Sequence, residues 1–264
     1  MDTRSRDLPP EPVSKRWILA GALASIGAMW FASCALLSLH VAPRTGAWWF
    51  VVAFAIGALV AGATISRHHG RRGWREPVIG AVIALAFFGV VGLAADAKHS
   101  VSGPVTLMAN VQLALTCVLV VGAALGGALL GQRVTSAPST PAILVLSGLI
   151  MNGTSMATLD AIAALTGRLS LSGAFVALLL FAIVVAGFLT QALIATRRPW
   201  TCASGGLLLL LLVVQDGDAA SISGVAIFIG FFTLLGWVGA RIAVRVYRAR
   251  WITPAMPEAH AIER

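Results

Sequence analysis

Charge is scarce in this chain, and negative charge scarcest of all. Only 10 of 264 residues are Asp or Glu, against 19 Lys or Arg, and charged residues make up 11% of the sequence. A soluble domain carries about a quarter of its residues as charges, so a water-facing surface is excluded for most of this chain. There are three cysteines. Cys34 and Cys117 fall inside apolar runs and Cys202 near the end of another, so their depths do not make a disulfide framework, and they read as small packing residues. Also missing are a His-Glu-x-x-His pair, a Gly-x-Ser-x-Gly elbow and a phosphate-cradling glycine loop. Only one carboxylate lies deep in an apolar run, whereas general acid–base chemistry uses two positioned groups. The chain is read as not an enzyme, and whether it holds a cofactor is left open by the sequence.

What the chain has in excess is hydrophobic run length: 58% hydrophobic residues and a mean hydropathy of +0.90. About 20 apolar residues cross about 30 Å of hydrocarbon. Candidate spans are Trp17–Val41, Ala47–Ser66, Pro77–Ala95, Val105–Leu130, Pro141–Thr166, Gly173–Ala195, Thr201–Gln215 and Ser223–Val244. The expected fold is an all-α integral membrane protein of eight transmembrane helices. Residues 1–16 form a cytoplasmic tail, 17–244 the bundle, and 245–264 a basic cytoplasmic tail whose start, RIAVRVYRARW, is expected to lie along the membrane surface. The seventh span is short, about 22 Å at helical rise.

The net charge of +9 would suit nucleic acid, but its placement explains it otherwise. With a cytoplasmic N-terminus and eight spans, the outer segments hold only Arg44, Lys98 and Arg168, and the other basic residues are all inside. That is the positive-inside pattern of a multi-pass plasma (inner) membrane protein with both termini cytoplasmic. The partners implied are the lipid bilayer, a small solute or ion, and a membrane protein or second copy, with no nucleic acid.

The four outer turns read PRTG (43–46), SVSG (100–103), SLSG (170–173) and SISG (221–224), and each precedes an inward helix. Arginine clusters with a tryptophan follow the second and sixth spans, at Arg67–Trp74 and Arg197–Trp200. Four hairpins in two parallel halves of four helices are therefore expected. In the fourth span, Gly122 with Gly126 and Gly127 with Gly131 form two small-xxx-small pairs that permit close packing.

The fifth span is the one with a carboxylate well inside it, Asp160, and is expected to be the central helix. A charge at that depth is costly and usually faces a partner, the bundle interior or water. At 100° per residue Asn152, Met156 and Asp160 share one stripe, and Ser147, Thr154 and Thr158 lie roughly opposite. Asn110 and Gln112 sit in the outer half of the fourth span at a similar depth. The candidate ligand or ion pathway is Asp160, Asn152, Asn110, Gln112 and Thr158. Such a set suits a small transporter or permease handling a proton, a cation or a small polar solute. A structural Asp160, bonded to a neighbouring helix, is the competing reading.

The outer helix ends read WFASCALLSLHV, VVGLAADAKHSV and SMATLDAIAALT. Outward helices that end in a polar motif, followed by a serine-bearing turn and an inward helix, resemble the MHYT-type bacterial membrane sensors. In that family Met-His-Tyr-Thr recurs at alternate helix ends and is proposed to bind copper for sensing diatomic gases; none of the three stretches here contains the Met-His pair. The resemblance implies an outer-face metal or redox sensor. The ligands that would serve are His40, His99, Asp96, Asp216 and Asp218, with Cys34 as a further candidate. A non-catalytic subunit of a larger membrane complex is the remaining reading.

Overall fold

Each long apolar run that the structure describes is one unbroken α-helix. In the computed structural model, residues 13–38, 48–69, 74–99, 107–133, 140–166, 173–194 and 222–251 are described. They form α1 (Lys15–Ser38), α2 (Trp48–His69), α3 (Arg75–His99), α4 (Leu107–Arg133), α5 (Thr140–Thr166), α6 (Gly173–Ile194) and α7 (Ile222–Trp251). Within the described helices proline stands only in first turns, Pro77 in α3 and Pro141 in α5, where its missing N–H costs no helical bond. Five of the helices, α1, α2, α4, α5 and α6, are long and apolar enough to cross a membrane. The chain is thus a multi-pass, all-helical membrane protein. Its outward side chains are apolar: Val118, Val90 and Phe181 are more than 60% exposed, a surface suited to lipid and not to water.

Helix directions follow from the contacts. Ser14 at the start of α1 donates its N–H to Glu76 at the start of α3, so α1 and α3 run parallel. Arg16 donates from Nε to the Leu193 carbonyl in the last turn of α6 at 2.7 Å, so α1 and α6 are antiparallel. In α2 and α4, Leu59 meets Gly127 and Ala63 meets Gly131, a parallel pair. In α6 and α7, Val184 meets Gly239 while Leu179, Ile183, Phe232 and Leu235 share one cluster, again a parallel pair. Every described arginine therefore lies at one end of the bundle. Trp17, Trp74 and Trp237 lie there too, each with an arginine (Arg16, Arg75, Arg241) 5.3–5.9 Å from its ring.

One expectation is corrected. The fifth span does not hold the centre alone: α1 packs against α2, α3, α5 and α6, and α1 and α5 share the middle. The last helix, α7, continues through Arg241 and Arg245 to Trp251 without a break. The other described helices match the expected spans to within a few residues, mostly outrunning them at the arginine end. The span expected at Thr201–Gln215 lies outside the described residues, as do PRTG, SVSG and residues 170–172; of the last turn, SISG, residues 222–224 already belong to α7, as Gly173 does to α6.

Glycine brings the helices together. A methyl group added at Gly27 would overlap the Leu149 carbonyl of α5, and one at Gly153 would overlap the Leu23 carbonyl of α1. Backbone therefore packs on backbone at the α1–α5 crossing, as it does at Gly57 and Gly80 where α2 and α3 meet α1. Of the two expected glycine pairs in α4, Gly127 and Gly131 abut α2, whereas Gly122 and Gly126 face open space. Sequence spacing alone could not separate two pairs only five residues apart on one helix. The interior is accordingly alanine-rich, with Ala20, Ala24, Ala53, Ala58, Ala81, Ala84, Ala124 and Ala128 all fully buried.

Substituting Gly153→Val should push α5 off α1 and destabilise the fold by at least about 1–3 kcal/mol, the usual range for overpacking. Gly122→Val should be neutral. Thermal unfolding of the two purified variants checks this, with Gly122→Val as the matched control.

Candidate functional site

α5 carries its polar residues at several angles around the helix, and half of the described ones are satisfied locally. Thr154 donates to the Ile150 carbonyl, Ser155 to Met151 and Thr158 to Thr154, all within α5 at 2.8–2.9 Å. Back-bonding of this kind lets a hydroxyl sit in an apolar bundle without a partner on another helix. Asn152 reaches out instead: its Nδ2 donates to the Gly27 carbonyl of α1 at 3.2 Å, beside the Gly27–Gly153 contact. That bond is a joint between helices, since the glycine at 27 exposes its carbonyl to a neighbour at close range.

Asp160 lies eight residues beyond Asn152, about 12 Å further along the helix. It is half-buried, and among the described residues no hydrogen bond or ion pair reaches its carboxylate. Its stripe-mate Met156, one turn below, is also half-buried. Ser147, near the arginine-rich end of α5, is fully buried and its Oγ has no partner among the described residues.

The remaining candidates are placed less closely. Gln112 is half-buried on α4, and α4 packs on α2 and α3. The structure thus puts Thr158 and Asn152 on the same helix as Asp160, and Gln112 on a helix one layer away. Asn110 belongs to α4, but its side chain is outside the described residues. The same holds for Asp96 and His99, whose backbone forms the last turns of α3. His40, Asp216 and Asp218 are outside the described residues altogether. Among the described residues no group of three His, Cys, Asp or Glu side chains could hold a metal ion. Cys34 is half-buried and Cys117 exposed, and neither is joined in a disulfide among the described residues.

Two functional-looking residues escaped sequence reasoning. Glu76 is only 5% exposed and accepts from the Ser14 N–H, so its carboxylate sits between the N-termini of α1 and α3, where helix dipoles favour negative charge. Arg16 caps the last turn of α6 in the complementary sense, a cation on a helix C-terminus. A signal for Glu76 existed: it is a lone acid placed directly before a first-turn proline, among arginines. For Arg16 there was none, because its acceptor is a backbone carbonyl far away in sequence.

No family model matches the chain, and neither does any curated protein or solved structure.

Replacing Asn152 by Leu removes the bond to Gly27 and should cost about 0.6–2 kcal/mol, the range measured for bonds between membrane helices. Asp160→Asn should leave stability unchanged within error. Unfolding of both variants in the same detergent separates a joint residue from one that holds nothing together.

Proposed function

We propose that the chain is a small transporter or permease that handles a proton, a cation or a small polar solute at Asp160. One observation carries this reading. Asp160 is a half-buried carboxylate in an apolar span, and no described residue holds it, while its polar neighbours on α5 have their bonds elsewhere. A structural aspartate in a bundle would be expected to bond an adjacent helix, as Asn152 does. A carboxyl group that can be reached by water can take up a proton or hold a cation and release it again.

The topology that fits this reading has eight crossings in two halves. The parallel run of α6 and α7 supports a further crossing between them, the one expected at Thr201–Gln215, which lies outside the described residues. In the first half the second and fourth spans, α2 and α4, pack parallel through glycines. In the second half the sixth and eighth, α6 and α7, do the same. The matching pairs support the two-fold repeat, an architecture in which solute sites lie between halves. The arginine-rich end is then the cytoplasmic one.

An outer-face sensor is the second reading. Its support is that α3 runs on as helix to His99, which sets Asp96 and His99 one turn apart at the arginine-poor end.

Single cysteines at Thr158 and Asp160, in a background lacking Cys34, Cys117 and Cys202, should react with a membrane-impermeant thiol reagent added outside intact cells. Absence of labelling in folded protein would make Asp160 structural. In the same background, cysteines at Pro199 and Asp218 should label from opposite sides of the membrane; labelling from the same side would remove the eighth crossing. Asp160→Asn should abolish solute-coupled proton flux in proteoliposomes at unchanged protein abundance, and retained flux would refute the role assigned to the carboxyl.

A further inference from the structure

An apolar groove of about 520 Å³ runs between α1, α2 and α5, walled by Phe31, Leu36, Ile56, Val60, Val145 and Leu149. It exists because the facing positions are small: Ala32 and Ala35 on α1, Gly57 on α2 and Gly148 on α5 leave a trough where larger side chains would close the seam. Helix register locates its lower end. α1 and α2 are antiparallel with Met29 against Gly57, so Arg67 is level with Leu19. α1 and α5 are parallel with Gly27 against Gly153, so Val145 is level with Leu19 as well. From there to Leu36 is roughly 25 Å at 1.5 Å per residue.

Arg67 is also on the correct face. At 100° per residue, Ile56, Val60 and Arg67 fall within about 40° of one another on α2. The guanidinium Nε of Arg67 is shielded from solvent and has no hydrogen-bond partner among the described residues. Arg67 does not line the groove itself, but it stands level with the Val145 end on the same face of α2, and an apolar trough with a guanidinium just past its end matches one class of molecule, with a long hydrocarbon chain and a phosphate at its head. Planar N–H donors suit phosphate oxygens in particular.

We propose that this groove is a binding site for an anionic phospholipid, with an acyl chain along α1, α2 and α5 and the headgroup phosphate on Arg67. An anionic headgroup is favoured over a zwitterionic one because this end of the bundle gathers every described arginine, and a quaternary ammonium would be repelled there. The site is separate from Asp160, which lies toward the opposite end of α5, so the two readings stand or fall independently.

The test is photocrosslinking of the full-length protein in detergent with phosphatidylglycerol bearing a diazirine on its acyl chain, and mapping of the adducts by peptide mass spectrometry. Adducts are expected on the groove walls of α1, α2 and α5. Arg67→Gln should lower them about tenfold, the effect of losing one charge-assisted hydrogen bond. Ala35→Trp, which fills the groove and leaves the charge in place, should remove them as well, and it keeps the test decisive if the first variant folds poorly. A phosphatidylcholine probe labelling the groove equally, adducts scattered over the exposed face of α4, or labelling unchanged in both variants would each overturn the proposal.

Discussion

Helices in a bilayer gain nothing from hiding apolar surface from one another, because lipid is as apolar as they are. What holds this bundle is close approach. At Gly27 and Gly153, at Gly57, at Gly80, at Gly127 and Gly131, and at Gly187 and Gly239, backbone meets backbone with no room for a side chain. Dispersion contacts and carbonyl-mediated bonds then act at short range, and the alanine-rich core between the glycines completes the packing. The bond from Asn152 to the Gly27 carbonyl is possible only because of this approach. Both the position of α5 and the depth of Asp160 follow from it.

The same close packing divides the polar groups into those that build and those left over. Thr154, Ser155 and Thr158 turn back to their own helix, Asn152 joins α5 to α1, Arg16 caps α6, and Glu76 sits between two helix N-termini. Asp160 and Arg67 are among those left over. One is a carboxylate toward the arginine-poor end, the other a guanidinium at the arginine-rich end beside an apolar trough, and each is an exposed requirement for a partner that the described helices do not supply.

Much of the fold was legible in the sequence because bilayer thickness sets helix length and the arginines mark one end of each helix. Seven expected spans have described helices in their place, and the directions of those helices agree with the alternation read from charge. The hub was not legible. Beyond its first turn α1 has no charged or amide side chain to announce its centrality; its role rests on Gly21, Gly27 and small residues between them, which look like any other apolar run. For the site, Asp160 and Asn152 stood out as polar residues in hydrocarbon, but spacing could not tell that Asn152 serves as a joint. Nor could it pair Gln112 with a neighbour, because helix adjacency is a tertiary property. Glu76 was overlooked because it lies at a span's edge, where charges are ordinarily solvated.

The central claim is that water reaches the Asp160 stripe of α5. Met156 lies one turn below Asp160 on that stripe, and Met151, fully buried against α6 and α7, provides an internal reference on the same helix. A brief hydroxyl-radical pulse on the full-length protein in liposomes, read as methionine oxidation by mass spectrometry, compares the two directly. The account predicts that Met156 is oxidised several-fold faster than Met151. Equal protection of both would mean a dry, closed α5 and would contradict a transport role for Asp160.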